Sequence, residues 1–368
     1  MKSIRVQASP SYYACELGVF DQLESLIIEG RREKALFVHG EKSLKAATSY
    51  LPPFNKVDVV FNQYRGECSL EEIARIKERA HEDQCDVVIG LGGGKVLDLA
   101  KAVANELDVP VILLPTLASQ CAAWTPLSVI YTESGDYVKY CQYLKNPWIV
   151  LVEPAIIAAS PASYLRAGIG DTLAKWYEAR ALTKHLDDMR VPIRLSLQAA
   201  SLCQELLLKE SEDALEALSK KEVTPALLKV IETNIAAGGL VGGLGDKFGR
   251  IAAAHSIHNA LTQFESTHYY LHGEKVAYGI LVQLALEKEL KDLQTLLVFF
   301  KKIGLPVSLS ELGLETNEQT LEKIALHTLH PNESIHFMGN HLQQKILFAG
   351  LKPWNHIKTI YKEKGREI

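Results

Sequence analysis

Over the first 150 residues, short runs of β-branched and aliphatic residues alternate with stretches whose apolar positions recur at helical spacing. This is the pattern of a parallel sheet covered by helices. The runs fall at 35–38, 57–61, 86–90 and 109–114, with further strand-like pieces at 128–131 and 149–152. Between them, 43–50, 70–82 and 95–105 are predicted as helices. After Pro154 the strand-like runs stop, and long helical patterns follow at 171–184, 192–209, 224–240 and 273–288. A break between Val152 and Ser160, punctuated by Pro154 and Pro161, therefore divides an α/β domain (1–155) from an all-helical domain (156–368).

Composition narrows the partners. Hydrophobic residues make up 47% of the 368-residue chain, and Lys+Arg 40 against Asp+Glu 44 leaves a formal charge of −4. The basic excess that neutralises a nucleic-acid backbone is missing, as is a polybasic block for an anionic membrane. No uninterrupted apolar run reaches the roughly 18 residues of a spanning helix, and Met-Lys-Ser-Ile-Arg-Val at the N-terminus is not an apolar leader. A cytoplasmic protein acting on small molecules is expected. The six cysteines include no CxxC pair, which argues against a thiolate zinc cluster or a disulfide framework.

Two regions carry candidate chemistry. The first is a buried strand at 86–90 running into Gly92, Gly93 and Gly94 and then a helix. Glycines let backbone approach a ligand closely, and the helix N-terminus offers unpaired N–H groups to a phosphate, so the turn suits a pyrophosphate. A tight strand-to-helix turn without a ligand is the plain alternative, because the spacing is neither GxGxxG nor a P-loop. The next strand ends in Pro115-Thr116-Leu117-Ala118-Ser119-Gln120-Cys121. Ligands bind at this carboxyl edge in open α/β sheets, and Thr116 and Ser119 can bond a ribose or nicotinamide amide or simply shape the turn.

The second region offers ligand-type side chains on three segments: Asp171, the pair His255 and His258 at i and i+3, and His272. One carboxylate and two imidazoles suit Zn²⁺ or Fe²⁺ with positions left open for substrate. A single histidine of this kind is more often a hydrogen-bonded structural residue than a ligand, and the three segments gain weight only in combination with the glycine turn.

The motifs GGGKVLD, PTLAS, GIGDTLAKWYEA, AAAHSIHNALT and THYYLHGEKVAYG, in that order, resemble the iron-containing or polyol alcohol dehydrogenase superfamily, in particular its glycerol dehydrogenase branch. The resemblance covers about 87–290. It implies a Rossmann-like parallel-sheet domain that binds NAD or NADP, an all-helical C-terminal domain, a catalytic site in the cleft between them, and a homo-oligomer. It places Gly94, Lys95 and Asp98 at the nucleotide phosphates, and Thr116, Ser119, Thr125, Leu127 and Tyr131 at the nicotinamide half. Asp171, His255 and His272 match the metal ligands, and His258 matches a histidine near cofactor and substrate. Glu41, after the second strand, can accept both adenosine-ribose hydroxyls and repel a 2′-phosphate; Lys42 and His39 beside it weaken that preference.

Two positions depart from the glycerol dehydrogenase pattern. Cys121 stands where that branch has an aspartate for substrate hydroxyls, and a neutral thiol cannot accept two hydroxyl donors as a carboxylate does. Lys175, four residues after Asp171, stands where the branch has a small neutral residue. Its ammonium can attract a substrate carboxylate, pair with Asp171 in competition with the metal, or snorkel to solvent. Both departures resemble the hydroxycarboxylate dehydrogenase members and point to a 2-oxo acid or 2-hydroxy carboxylate.

The expectation is thus hydride transfer between NAD(P) and a small carbonyl. His258 relays the proton, and a divalent metal polarises the carbonyl; in a metal-free version Lys175 supplies the charge. The alternatives are a polyol dehydrogenase, a dehydroquinate-synthase-like lyase, which would need a basic cluster beyond Lys175, Arg166 and Lys247, and a non-catalytic nucleotide-binding protein. The residues after 305, including 331–338 and Trp354, offer no interpretable motif.

Overall fold

The N-terminal apolar runs form one six-stranded, all-parallel sheet whose strands lie side by side in the order 12–15, 149–152, 111–115, 87–92, 34–39 and 58–63. The computed structural model describes residues 3–339 and Leu351, so Trp354 lies outside the described residues. The strands are β1 (Tyr12–Cys15), β2 (Lys34–His39), β3 (Asp58–Gln63), β4 (Val87–Gly92), β5 (Val111–Pro115) and β8 (Ile149–Val152). β4, β5 and β8 are buried along their whole length, as continuous apolar runs in a parallel sheet require. A separate antiparallel ribbon pairs β6 (Leu127–Tyr131) with β7 (Tyr137–Gln142). Neither β1 nor β7 is anticipated from the sequence; β1 is an edge strand, and the first four residues of β7 are exposed, so neither has a buried face to set a pattern.

Helices α1 (Leu23–Glu29), α2 (Glu41–Ala47), α3 (Leu70–Glu82), α4 (Gly94–Leu107) and α5 (Pro154–Ala158) accompany the sheet. α3 follows its sequence signals: the Ser69 hydroxyl accepts the Glu72 N–H at 3.1 Å, and Ile73, Ile76 and Ala80 form the buried stripe. The chain leaves β2 toward β3 but leaves β4 in the opposite direction, toward β5. The carboxyl ends of β2 and β4 therefore flank the topological switch point, where an open α/β sheet binds its ligand.

Among the described residues eight more α-helices follow: α6 (Ala162–Thr183), α7 (Val191–Lys220), α8 (Pro225–Glu232), α9 (Gly238–Gly245), α10 (Ala253–Leu261), α11 (His272–Glu287), α12 (Leu290–Ile303) and α13 (Glu318–Thr328). The chain divides into two units, one of residues 7–165 and 213–243, the other of 3–6, 166–212 and 244 onward. The first unit extends beyond the sequence boundary at 155 and takes in α8 and most of α9. Contacts within the first unit explain this: Gln7 N–H donates to the Gly243 carbonyl at 2.9 Å, and Trp124 packs where a Cβ on Gly239 would stand 2.4 Å away.

The helix expected over 224–240 is broken by a π-turn at Thr233–Ala237. Within it, the Asn234 amide reaches the Ala118 carbonyl at 2.9 Å. The run Pro225–Phe248 is apolar enough by composition to cross a membrane, yet 61% of that window is buried within the protein, which accounts for its apolarity. In the second unit, Ala252, Ile257 and Leu261 of the α10 region pack with Tyr278 and Val282 of α11 and Leu321 and Ile324 of α13.

Candidate functional site

In the first unit, the glycine turn lies where β4 passes into α4. None of the three glycines has a positive φ; their requirement is space. A Cβ on Gly92 would meet Val96 at 2.8 Å, one on Gly93 would meet Leu117 at 3.1 Å, and one on Gly94 would fall 1.9 Å from the Gln120 amide nitrogen. α4 begins after Gly93 with no side-chain cap, leaving its first N–H groups and dipole end available to an anion. Ser43 ties the two sides of the switch point together: its hydroxyl accepts from Gly40 N–H at 3.0 Å and lies 2.8 Å from the Leu91 carbonyl. Glu41 is exposed in the first turn of α2. These features fit a dinucleotide.

Other expected cofactor residues divide. Thr116 is buried beside the turn, with its N–H donating to the Gly92 carbonyl at 3.0 Å, and Ser119 is half-buried in the same loop. The Lys95 ammonium is engaged by Glu67 and lies 5.2 Å from the Tyr131 ring centroid.

Asp98 requires a correction. It is buried, with Oδ1 2.9 Å from the Lys101 ammonium and Oδ2 accepting the Val129 N–H at 2.9 Å, so its carboxylate braces the interior rather than facing phosphates. Lys101 also donates to the carbonyls of Ala122 (2.7 Å), Thr125 (3.1 Å) and Leu127. This buried pair, absent from the sequence analysis, fixes the loop that carries Cys121, Thr125 and Leu127.

In the second unit, α6, α10 and α11 bring Asp171, His255 and His272 together, with one ligand-type atom of each within 4.8 Å of the others. Asp171 Oδ1 lies 3.0 Å from His272 Nε2 and 3.5 Å from His255 Nε2. Tetrahedral bonds of about 2.0–2.2 Å set ligand atoms roughly 3.3–3.6 Å apart; the His255 separation matches this, His272 stands closer to Asp171 as a hydrogen-bond partner, and the donor set fits a zinc-type ion. The approach of the helices depends on glycine: a Cβ on Gly273 would stand 1.8 Å from the Ala167 carbonyl oxygen, and one on Gly170 would stand 2.5 Å from that of Gly273.

Lys175 points inward, with Nζ 3.9 Å from Asp171 Oδ2, and does not snorkel. Burial alone would raise the Asp171 carboxyl, but the Lys175 ammonium and hydrogen bonds from both imidazoles hold it well below the usual carboxylate range. Burial works to lower His255, yet the Glu178 carboxylate and the bond to Asp171 push it up to about 9 in the metal-free protein. Burial, with the nearby His272, His255 and Lys275, holds His258 well below the usual histidine range. His258 Nε2 is 2.9 Å from His272 Nδ1, and its Nδ1 is 3.1 Å from Asn259 Oδ1.

Three supporting residues escape sequence reasoning. Glu178, buried, reaches His255 Nδ1 at 2.7 Å. The Asn259 amide donates to both carboxylate oxygens of Glu333 (3.2 and 3.1 Å), and the Ser334 hydroxyl donates to the Ala252 carbonyl at 2.6 Å. The uninterpreted stretch 331–338 thus holds α10, the helix that carries His255 and His258. Glu178 has a sequence signal, seven residues after Asp171 and so on the same helical face; Glu333 and Ser334 have none.

Residues 10–154 match the model of the family described as iron-containing alcohol dehydrogenase. Hydroxycarboxylate dehydrogenase A of Escherichia coli (strain K12) is 41% identical over 358 residues, covering 97% of this chain and 99% of the relative. A glycerol dehydrogenase of Thermotoga maritima is 43% identical over 309 residues, covering 83% of this chain and 84% of that protein. Among solved structures, glycerol dehydrogenase from Schizosaccharomyces pombe superposes with a TM-score of 0.86 at 30% identity, covering 100% of this chain and 94% of that one.

Proposed function

Because the chain belongs to the iron-containing alcohol dehydrogenase family, as its near full-length 41% identity to a member establishes, we propose that this oxidoreductase interconverts 2-oxo acids and 2-hydroxy carboxylates using a nicotinamide cofactor. The observation that carries the substrate class is Lys175, an ammonium 3.9 Å from Asp171 with 11% of its side chain exposed. A buried cation beside the reacting centre suits a carboxylate-bearing substrate and has no evident use with a neutral polyol. Cys121 supports the same class, since its neutral thiol sets no charge against an acid. The name of the hydroxycarboxylate relative agrees with it.

In this proposal Lys175 binds and orients the substrate carboxylate. A divalent metal held by Asp171, His255 and His272 would supply Lewis-acid polarisation of the carbonyl when bound. His258, uncharged at neutral pH, relays the proton alone or through water, its ring held between His272 Nδ1 and Asn259 Oδ1. The uncapped start of α4 takes the cofactor pyrophosphate, and Glu41 at the switch point accepts ribose hydroxyls and favours NAD over NADP.

A polyol dehydrogenase is the second reading, favoured by the glycerol dehydrogenase relative at 43% identity. One assay separates the two: oxidation of NADH and NADPH with 2-oxo acids, dihydroxyacetone and simple aldehydes, metal content being measured alongside. Turnover dominated by 2-oxo acids with NADH is expected. Preference for dihydroxyacetone would replace the acid assignment with the polyol one.

A further inference from the structure

α10 begins beyond Ala252, whose side chain offers no acceptor for the first N–H groups of the helix. The acceptor comes instead from α6. Glu178 Oε1 accepts the Ala252 N–H at 2.7 Å and the His255 N–H at 3.0 Å, while Oε2 accepts the His255 Nδ1–H at 2.7 Å. The side chain is 1% exposed, so no water competes for these bonds. One carboxylate therefore grips the backbone and the imidazole ring of the same residue, and an anion at a helix N-terminus is favourably placed. Asp171 and Glu178, two turns apart on one helix, address His255 from its two ring nitrogens: Asp171 faces Nε2 at 3.5 Å and Glu178 holds Nδ1.

We propose that Glu178 is a positioning residue of the metal centre. By holding the ring proton on Nδ1 it leaves the Nε2 lone pair directed at the space shared with Asp171 and His272. The proposal rests on those three residues being the metal set. Glutamine at 178 is a sharp perturbation. Its single carbonyl oxygen can serve the backbone N–H pair or the ring but not both, and an NH₂ facing Nδ1 favours the opposite tautomer, with the proton on Nε2.

The test uses the full-length protein stripped of metal. Zn²⁺ is titrated against a chromophoric competitor for wild type, Glu178→Gln, Glu178→Asp and Asp171→Asn, and visible spectra of the Co²⁺-loaded forms are recorded. Glu178→Gln is expected to weaken Zn²⁺ binding roughly 10- to 100-fold and to alter the Co²⁺ bands, with Glu178→Asp between it and wild type. A residue that only stabilised the fold would lower the melting temperature and leave the Co²⁺ bands of the folded fraction unchanged. Zn²⁺ affinity within twofold of wild type and unaltered bands in Glu178→Gln, alongside lost binding in Asp171→Asn, would overturn the role of Glu178 and leave the metal set standing. Wild-type binding no tighter than that of Asp171→Asn would overturn both. Should Glu178→Gln fail to fold, Glu178→Asp, which keeps the charge but is one methylene too short to span ring and backbone, is judged by the same criteria.

Discussion

Replacing Lys175 with methionine keeps nearly the volume of the side chain, one atom shorter, and removes its charge. Opposite unit charges 3.9 Å apart attract by about 4 kcal/mol at an effective dielectric near 20, and with side-chain exposures of 11% and 4% solvent screens this pair little. A substrate carboxylate arriving beside the ammonium shares it with Asp171, so the interaction specific to substrate is smaller. Roughly 1.5–3 kcal/mol, the range for a hydrogen bond to a charged partner, corresponds to about a 10- to 150-fold fall in kcat/KM for 2-oxo acids. Carbonyl substrates without a carboxylate should change less than threefold, because the methionine fills nearly the same volume. The assay is NADH oxidation across 2-oxo acids, dihydroxyacetone and aldehydes, with metal content determined for each preparation. An equal loss across all substrates would refute carboxylate recognition and leave Lys175 as a brace for Asp171; an unchanged 2-oxo acid rate would remove it from the site altogether.

Three further outcomes follow from the geometry. In the metal-free protein, His255 is raised to about 9 from an ordinary value of 6.5, so its stabilising charge is fully present below about pH 6.5 and is lost as pH rises through 9. The melting temperature in chelator should fall across that window, while the Zn²⁺-loaded protein should not show the same fall; a chelated protein that grows more stable toward pH 9 would contradict the assignment. Gly273→Ala places a Cβ 1.8 Å from a backbone oxygen of α6 and should cost roughly 1–3 kcal/mol while weakening Zn²⁺ retention, measured by melting and competitor titration. Lys101→Met leaves Asp98 buried without its counter-charge and should destabilise by roughly 3–5 kcal/mol, with weaker NADH binding read by fluorescence titration.

The residues that bear chemistry were far more legible than those that support them. Asp171, His255, His258 and His272 stand out because imidazoles are few, 12 in the chain, and, with one carboxylate, advertise metal or proton chemistry, and the structure gathers all four. The glycine turn is visible because a strand, three glycines and a helix occur in succession. The reason for the glycines is not visible: Val96, Leu117 and Gln120 fill the space a Cβ would take, and two of these contacts are with the loop beyond β5. Asp98 was misplaced for a related reason. A carboxylate in the first turns of a helix gives no sign of which way it faces, and only the fold shows it turned inward onto Lys101 and Val129. Long-range hydrogen bonds such as Asn259 to Glu333, or Asn234 to Ala118 from a π-turn, have no periodicity and no spacing rule. β7 escaped because an exposed ribbon strand need not alternate.

The charges around Asp171 connect these pieces. Asp171 is held ionised and Glu178 accepts three N–H donors; against these two side chains stand Lys175 and His255, which without metal is raised to about 9. Loading a divalent ion requires His255 to give up the proton on Nε2, which exchanges one positive charge for two and makes the cluster one unit more positive. The lysine that looks, from the sequence, like a competitor for the metal is therefore compatible with it, because Glu178 supplies the second carboxylate that Lys175 would otherwise consume. On the proposed reading, the added positive charge attracts a substrate that already carries a carboxylate. In the glycerol dehydrogenase pattern the position of Lys175 is neutral, so the same exchange of proton for ion would leave one positive charge fewer. An acidic substrate, as proposed, accounts for both departures from that pattern.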